Sequence, residues 1–381
     1  MNIETLCVHG NRDCSNSTGA VCVPIFQSAT FSHPGVGKST GYDYSRAQNP
    51  TREQLEQIIA NLENGVDALA FSSGMAAISC MMEIFSPGDE VIASEDLYGG
   101  TVRIFDVISQ KNGIKISYTD TSDTANIKAL ISDKTKAIFI ETPTNPMMNV
   151  TDIRAVRRLT DNQNKDILIV VDNTFLTPLF CNPLNLGADI VVHSGTKYLG
   201  GHNDTLAGFL AVKDALLSEK LRFIQKTTGA GLSPFDSYLL IRGIKTLAIR
   251  MRAAGDNAAK IARWLSTQEK IKSVYYIGLP DHPGYKISQT QSSGFGAMIS
   301  FETDSPETAI SILERVKLIL YAESLGGVES LITYPILQTH ADVPLEKRLR
   351  LGINDRLLRL SVGIENVDDL ICDLGQALGS E

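Results

Sequence analysis

The chain has 381 residues, 43% of them hydrophobic, and a formal net charge of −8 at pH 7. This supplies enough apolar material for a large core divided into two domains. The acidic balance, with no run of about five basic residues, argues against nucleic-acid or membrane-surface partners. Because the N-terminus is polar and no apolar stretch reaches about 18 residues, we expect a cytoplasmic protein without a secretory signal or membrane span.

The cysteines are scattered, and no CxxC pair or Cys/His cluster joins them in the sequence. They are Cys7, Cys14, Cys22, Cys80, Cys181 and Cys372. A disulfide framework or a metal site needs closer and more regular spacing. We therefore expect reduced thiols and no bound metal.

Residues 1–47 show no sustained periodicity and are rich in Gly, Ser, Asn and Pro, which predicts an extended arm. The pattern then becomes helical, because Leu55, Ile59 and Leu62 recur at the spacing of one helix face. Thr51 is the predicted N-cap of this helix.

Short apolar runs alternate with helical segments up to about residue 240. The runs that we predict as strands are DALAFSS, DEVIAS, IKISYTD, KAIFIETPTNP, DILIVVDN, DIVVHSG and LAGFLAV. Continuous apolar strands between helices are typical of a mainly parallel sheet covered on both faces. We place this α/β domain at residues 48–244 and expect its ligands beyond the carboxyl ends of the strands.

The pattern changes around residue 240, where LLIRGIKTLAIRMRAAGDNAAKIARWLSTQE predicts one long helix. Beyond it, strand-like VYYIG, GAMISFE and LLRLSVGIE alternate with helical TAISILERVKLI and VDDLICDLGQAL. This mixture predicts a smaller α+β domain at residues 245–381.

Two of the predicted strands end in residues that suit pyridoxal phosphate (PLP) chemistry. Asp172 ends one apolar run, and Lys197 lies just past the next. An amine can bond to the cofactor's aldehyde, and a carboxylate can keep the pyridine nitrogen protonated. Taken alone, Lys197 could be a surface lysine, and Asp172 could form an Asx turn with Asn173 and Thr174.

A phosphate group also has candidate partners in the sequence. Ser73 and Gly74 lie between a strand and a helix start, where small residues and helix N–H groups suit an anion. Ser194 and Thr196, which precede the candidate lysine, carry hydroxyl groups that could serve a phosphate. An ordinary N-capped turn would explain the first pair equally well.

Other polar residues are predicted near the same strand ends. Tyr98 could stack on a flat ring, and Glu141 and Asn145 lie in the turn after a further strand. Arg359 lies inside an apolar run, and arginine is rarely buried without an anion such as a substrate α-carboxylate. The structural alternatives are a packed aromatic ring, simple turn chemistry and a salt bridge.

These segments together resemble the Cys/Met-metabolism family of PLP-dependent enzymes, which includes cystathionine γ-synthases, cystathionine β- and γ-lyases, methionine γ-lyases and O-acylhomoserine sulfhydrylases. The motifs that carry the resemblance are, in order, YDYSRAQNPTR, FSSGMAA, DLYGGT, ETPTNP, VVDNTF, HSGTKYLGGHND, AESLGGVESL and RLSVGIE. They span nearly the whole chain, and the ordered set is far more specific than any one motif. The resemblance implies a fold-type-I PLP-dependent transferase-like α/β architecture with a smaller α+β C-terminal domain.

The resemblance also implies roles for single residues. Lys197 and Tyr98 would be catalytic, the lysine as cofactor-bonding residue and proton shuttle. The implied cofactor-binding residues are Tyr44, Arg46, Ser73, Gly74, Met75, Tyr98, Glu141, Asp172, Ser194, Thr196 and Lys197. The implied substrate-binding residues are Arg103, Asn145, Glu323, Ser324 and Arg359. Tyr44 and Arg46 would reach the neighbouring subunit's phosphate, so the resemblance implies a homotetramer built as a dimer of dimers with shared active sites.

Within the family, the sequence favours a γ-replacement of the cystathionine γ-synthase type on an O-acylhomoserine with cysteine. A cystathionine or cysteine β- or γ-lyase, releasing pyruvate or 2-oxobutyrate, stays open as the alternative. Gly100 stands where methionine γ-lyases carry cysteine, which weakens that possibility. Gly195 stands where alanine is common, and from it we expect more backbone freedom without a change of role. An aminotransferase and a non-catalytic dimeric scaffold are the hypotheses from other classes.

Overall fold

The computed structural model describes residues 1–10, 19–163, 166–341 and 343–379. Cys14 of the predicted arm and the last two residues of the predicted C-terminal domain lie outside these ranges. Five of the cysteines fall inside them, and all five are free thiols.

The larger sheet contains seven strands and includes every strand predicted before residue 240. They are β1 (Asp67–Phe71), β2 (Glu90–Ser94), β3 (Lys115–Thr119), β4 (Thr135–Glu141), β5 (Leu168–Asp172), β6 (Ile190–Ser194) and β7 (Gly208–Val212). Their order is β1-β7-β6-β5-β4-β2-β3. The strands from β6 to β3 pair in parallel, and β7 runs antiparallel to both of its neighbours. The predicted α/β fold is therefore confirmed.

Helices cover both faces of this sheet. Those up to residue 244 are α1 (Ile3–His9), α2 (Pro50–Glu63), α3 (Gly74–Met82), α4 (Gly99–Arg103), α5 (Thr124–Leu130), α6 (Ile153–Asn162), α7 (Thr177–Phe180), α8 (Pro183–Leu186), α9 (Ala215–Thr228) and α10 (Pro234–Ile244). A π-helix, Ile104–Ser109, continues directly from α4. Along β5, Ile169 and Val171 belong to one apolar cluster and Val170 to the other, so the strand is buried on both faces. This explains why the strands are continuous apolar runs.

The second sheet is smaller and mostly antiparallel. It contains β8 (Ile271–Tyr275), β9 (Met298–Thr303), β10 (Leu320–Tyr321), β11 (Leu331–Thr333) and β12 (Leu357–Ser361), in the order β10-β11-β12-β9-β8. The helices of this part are α11 (Leu247–Leu265), α12 (Tyr285–Gln291), α13 (Pro306–Arg315), α14 (Leu345–Arg350) and α15 (Val367–Leu378). We retain the division at residues 244 and 245, between α10 and α11, as a proposal for the domain boundary.

The long helix predicted around residue 240 is in fact two helices, α10 and α11. The prediction was wrong because the apolar periodicity continues through the break. The buried Arg250 guanidinium donates to the carbonyl oxygens of Gly243, at 2.8 Å, and Tyr198, at 2.7 Å. The Gly243 carbonyl also accepts from the Thr246 N–H at 3.1 Å, so a turn closes α10 and a side chain of α11 adds a second contact to its end.

The N-terminal segment also departs from the prediction. Its first part forms α1, which packs against α2 and α11 and buries Cys7, rather than an extended arm. The N-cap of α2 is Asn49, whose side chain accepts from the Thr51 N–H at 3.0 Å. Thr51 instead donates its hydroxyl to the Pro24 carbonyl at 2.9 Å, which ties the following arm to the helix. In the described part of the chain, no helix is both long and apolar enough to cross a membrane.

Candidate active site

A cavity of about 380 Å³ opens at the carboxyl ends of β4, β5 and β6. The predicted residues that line it are Ser73, Gly74, Met75, Tyr98, Glu141, Asn145, Asp172, Ser194, Thr196, Lys197, Glu323, Ser324 and Arg359. The structure thus brings together all predicted site residues except Tyr44, Arg46 and Arg103. No group of three His, Cys, Asp or Glu side chains suited to a metal ion occurs within the described ranges.

Lys197 lies in the turn that follows β6. Its backbone N–H donates to the Ser194 carbonyl at 3.2 Å, which directs the side chain into the cavity that it lines. The amine Nζ donates a hydrogen bond of 2.8 Å to Ser324 Oγ. Burial, aided by the nearby Arg359 cation, lowers the pKa of Lys197 to about 8, while the charge of Glu323 opposes this shift. The amine is therefore partly neutral in mildly alkaline solution, as a nucleophile or base must be.

Asp172 and Glu141 are paired carboxylates at the ends of the neighbouring strands β5 and β4. Burial, and then the charge of Asp172, raise the pKa of Glu141 well above its usual range. Burial also raises the pKa of Asp172, but hydrogen bonds from Thr174 oppose the shift. Two adjacent carboxylates do not ionise together easily, which favours a retained proton at Glu141. Glu141 also accepts from the Tyr98 N–H at 3.0 Å, which positions the start of α4.

The N-terminus of α3 lies against the end of β6. Ser73 caps the helix by accepting from the Ala76 N–H at 3.1 Å, so the simple N-cap interpretation is correct. A Cβ at Gly74 would lie 3.3 Å from the Ser194 Cα, so a larger residue would push these elements apart. The first-turn N–H groups of α3 therefore meet the hydroxyls of Ser194 and Thr196 at one wall of the cavity, an arrangement that suits an anion.

Arg359 is almost fully buried in β12, with 1% of its surface exposed. Its Nη1 donates to Asn145 Oδ1 at 2.8 Å, and its Nη2 donates to the Ser324 carbonyl at 2.9 Å and to Thr333 Oγ1 at 3.1 Å. Within the described ranges it has no carboxylate within salt-bridge distance, which contradicts the salt-bridge alternative. Burial lowers the pKa of this guanidinium to about 10. A buried cation bonded only to neutral oxygens suits an anionic ligand.

Sequence reasoning missed Asp96, although it lies in the DLYGGT motif. This buried carboxylate accepts from the Thr144 hydroxyl and from the Met147 N–H, the latter at 3.2 Å. It therefore ties the loop that carries Asn145 to the loop that carries Tyr98. Burial raises the pKa of Asp96 to about 6. Both motifs were visible in the sequence, but no local signal indicates a contact between residues 48 positions apart.

Tyr44, Arg46 and Arg103 do not line the cavity of their own chain. The Arg46 guanidinium lies 5.6 Å from the centre of the Tyr44 ring and donates to the Lys226 carbonyl at 2.7 Å. Arg103 is the last residue of α4 and is exposed. The predicted roles of Tyr44 and Arg46 involve a neighbouring subunit, and these two assignments stay predictions. The substrate-binding role of Arg103 also stays a prediction.

Gly195 is explained by space rather than by the backbone freedom that we expected. Its φ lies outside the left-handed region, but a Cβ there would be 2.4 Å from the Phe209 ring and 2.9 Å from the Ala207 Cβ. Phe209 is fully buried in β7. In this chain the phenylalanine thus occupies the space that a methyl group at position 195 would need.

The fold and the site define an α/β enzyme of the PLP-dependent, fold-type-I class. The family model described as "Cys/Met metabolism PLP-dependent enzyme" matches residues 4–379, and the chain belongs to this family, whose cofactor is PLP.

The chain is similar to curated enzymes and to a solved structure over nearly its full length. It is 48% identical to a cystathionine gamma-lyase of Bacillus subtilis, covering 99% of both chains. It is 50% identical to a cystathionine gamma-synthase/O-acetylhomoserine (thiol)-lyase of the same organism, covering 99% of this chain and 96% of the relative. The crystal structure of cystathionine gamma-lyase from Lactobacillus plantarum complexed with L-serine superposes with a TM-score of 0.96 at 45% identity, covering 100% of this chain and 99% of that one.

Proposed function

We propose that this enzyme makes C–S bonds of sulfur amino acids by γ-replacement, joining cysteine to an O-acylhomoserine as cystathionine γ-synthases do. The observation that carries the proposal is the convergence of Lys197, Asp172 and Arg359 on one cavity. An amine of lowered pKa, a carboxyl group and a buried cation are the groups needed to hold PLP together with an amino acid. The 50% identical relative that is a cystathionine gamma-synthase supports the choice of reaction.

The residues present fit the cofactor. Asp172 would hold the protonated pyridine nitrogen, since its carboxyl group lines the cavity at the end of β5. Gly74 and Met75 at the start of α3, with the Ser194 and Thr196 hydroxyls, would hold the phosphate. When bound, PLP supplies an electron sink for the negative charge that develops on the substrate carbon. Tyr98 lines the same cavity and would cover the flat ring.

The α-carboxylate of an amino-acid substrate would bind at Arg359. The planar guanidinium presents both Nη atoms, and Asn145 and Ser324 are already fixed to it by hydrogen bonds. A bidentate pair with a carboxylate would add a charge-assisted contact that the neutral partners do not supply. This contact would orient the substrate with its reacting carbons toward Lys197.

Proton transfer would fall to Lys197. Its pKa of about 8 lets the amine accept and return a proton near neutral pH. β-Elimination needs this base at one carbon, whereas γ-replacement needs it at two, so the amine must move along the substrate. Glu323 and Tyr98 line the same cavity and would limit that movement.

A cystathionine or cysteine lyase is the alternative, because the same groups serve elimination and a 48% identical relative is a cystathionine gamma-lyase. A mass-spectrometric product assay distinguishes the two. Purified enzyme is offered O-acetyl- or O-succinylhomoserine with cysteine, and separately cystathionine. Cystathionine formation supports the proposal, whereas release of pyruvate or 2-oxobutyrate from cystathionine with no synthesis would contradict it. The Lys197→Ala variant should form no product in either assay.

We further propose a cytoplasmic homotetramer, built as a dimer of dimers, in which Tyr44 and Arg46 complete the partner's phosphate site. Their exposure and their distance from the cavity of their own chain support this arrangement. Mixing inactive Arg46→Ala and Lys197→Ala subunits should restore activity, because a hybrid dimer has one site with both residues intact. Sedimentation of the mixture checks the assembly, and a monomer with full activity would contradict it.

A further inference from the structure

Glu63, the last residue of α2, is a fully buried carboxylate that does not line the cavity. Its Oε1 lies 2.6 Å from His193 Nε2 and accepts from Asn173 Nδ2 at 3.2 Å. Its Oε2 accepts from Asn182 Nδ2 at 3.5 Å. A buried carboxylate is costly unless such partners satisfy it, so this one holds them firmly.

The two main partners of Glu63 are chain neighbours of the cofactor-binding residues. Asn173 directly follows Asp172 at the end of β5, and His193 directly precedes Ser194 in β6. One carboxylate therefore joins the strand end with the candidate ring-nitrogen partner to the strand end with the candidate phosphate contact.

A separate link joins the same strand ends. Thr174 Oγ1 accepts from the Ser194 N–H at 2.9 Å, and the Thr174 side chain lines the cavity while Glu63 does not. Together with the backbone pairing of β5 and β6, two side-chain contacts thus hold Asp172 and Ser194 at a fixed spacing. Lys197, which bonds back to the Ser194 carbonyl, depends on the same spacing.

Glu63 and His193 also affect the pKa of neighbouring groups. The negative charge of Glu63 contributes to the raised pKa of the buried Cys181 thiol, after burial itself. Burial raises the pKa of Asp172, and the charge interaction with His193 lowers it. Among the described residues, Glu63 is the only hydrogen-bond partner of the His193 ring, whose Nδ1 has none. Within the described chain, Glu63 therefore sets the orientation of the His193 imidazole.

We propose that Glu63 is a positioning residue for the cofactor: through His193 and Asn173 it fixes the two strand ends that hold the ring nitrogen and the phosphate of PLP. The proposal rests on the cofactor contacts assigned above to Asp172 and Ser194. Glu63 touches neither cofactor nor substrate. We therefore expect its replacement to weaken the binding of PLP, and not only to slow the chemical step.

The test is a PLP titration of apoenzyme, followed by its visible absorption, with thermal unfolding of the apoenzyme measured in parallel. Glu63→Asp shortens the side chain, so that it no longer spans both partners, and Glu63→Gln removes the charge. Each should raise the dissociation constant for PLP by about tenfold, the cost of one weakened charge-assisted hydrogen bond. The wavelength of the visible band of bound PLP should also shift in Glu63→Gln, because the strand end that carries Asp172 is held less firmly. A purely structural role would lower the unfolding temperature and leave both readouts unchanged.

Glu56→Gln is the matched control, since Glu56 is a second buried carboxylate of α2 and bonds instead to the Ala70 N–H and Arg222. It should lower the unfolding temperature without changing PLP affinity. If Glu63→Gln does not fold, His193→Gln should still weaken PLP binding. Wild-type affinity in the folded Glu63 or His193 variants would overturn the proposal. Failure of the unmodified apoenzyme to bind PLP would instead contradict the cofactor assignment itself.

Discussion

Lys197 Nζ donates a 2.8 Å hydrogen bond to Ser324 Oγ, across 127 positions of the chain. Ser324 has a left-handed φ of 88°, and its carbonyl accepts from Arg359 Nη2 at 2.9 Å. A non-glycine residue in this conformation is uncommon and is retained only where its surroundings hold it. One residue thus couples the candidate base to the candidate carboxylate-binding group.

Ser324→Ala removes the hydroxyl partner of the Lys197 amine and keeps the Cβ. We expect kcat to fall by about tenfold or more, since a hydrogen bond to a charged group contributes about 1.5–3 kcal/mol. The substrate KM should change little, because the carbonyl bonded to Arg359 remains. Ser324→Gly should lose the same activity but unfold at a higher temperature than the alanine variant, because glycine adopts this φ freely. Unchanged kcat in both variants would argue against a role for the hydroxyl.

The rate of PLP incorporation into apoenzyme should rise with pH around a midpoint of about 8, and not 10.5, because only the neutral Lys197 amine reacts with an aldehyde. Stopped-flow absorption over a pH series measures this. Glu323→Gln should move the midpoint lower, since the Glu323 charge raises the pKa of Lys197. A midpoint near 10.5 would show that burial does not act on this amine.

Arg359→Lys should raise the substrate KM and lower kcat/KM by about 30-fold or more, the range for weakening a buried, hydrogen-bonded charge contact. Lysine cannot reproduce the planar fork that bonds Asn145 and Ser324 together. Steady-state kinetics with varied amino-acid substrate test this. Arg356→Lys is the control, because Arg356 pairs with Glu302 outside the cavity. Equal effects of the two variants would contradict a carboxylate-binding role for Arg359.

Gly195→Ala should destabilise the protein by about 1–3 kcal/mol, the usual cost of an added methyl group in a packed core. The new Cβ would lie 2.4 Å from the Phe209 ring, so Phe209→Leu in the same chain should recover part of the loss. Chemical denaturation of the single and double variants measures this. If the single variant is as stable as the parent, the ring has room to move and the packing explanation fails.

The main sheet and part of the site could be predicted from local pattern. Each strand is a continuous apolar run because both faces are buried, and Asp172 and Lys197 stand where such runs end. The helix break between α10 and α11 was not predicted in this way, and the contact of Arg250 with the Gly243 carbonyl at the end of α10 has no local signal. The apolar periodicity, on which the prediction of one helix depended, continues through the break.

The sequence by itself determined the mainly parallel α/β sheet, the family and the candidate catalytic lysine, because these follow from periodicity and from ordered motifs. Only the tertiary structure decided that Ser324 joins Lys197 to Arg359, that Asp96 ties two loops together, and that Glu63 bonds the residues beside Asp172 and Ser194. The physical reason is that these contacts join residues far apart in the chain. They form only when loop closure and packing have set both distance and orientation, and no local pattern encodes either quantity.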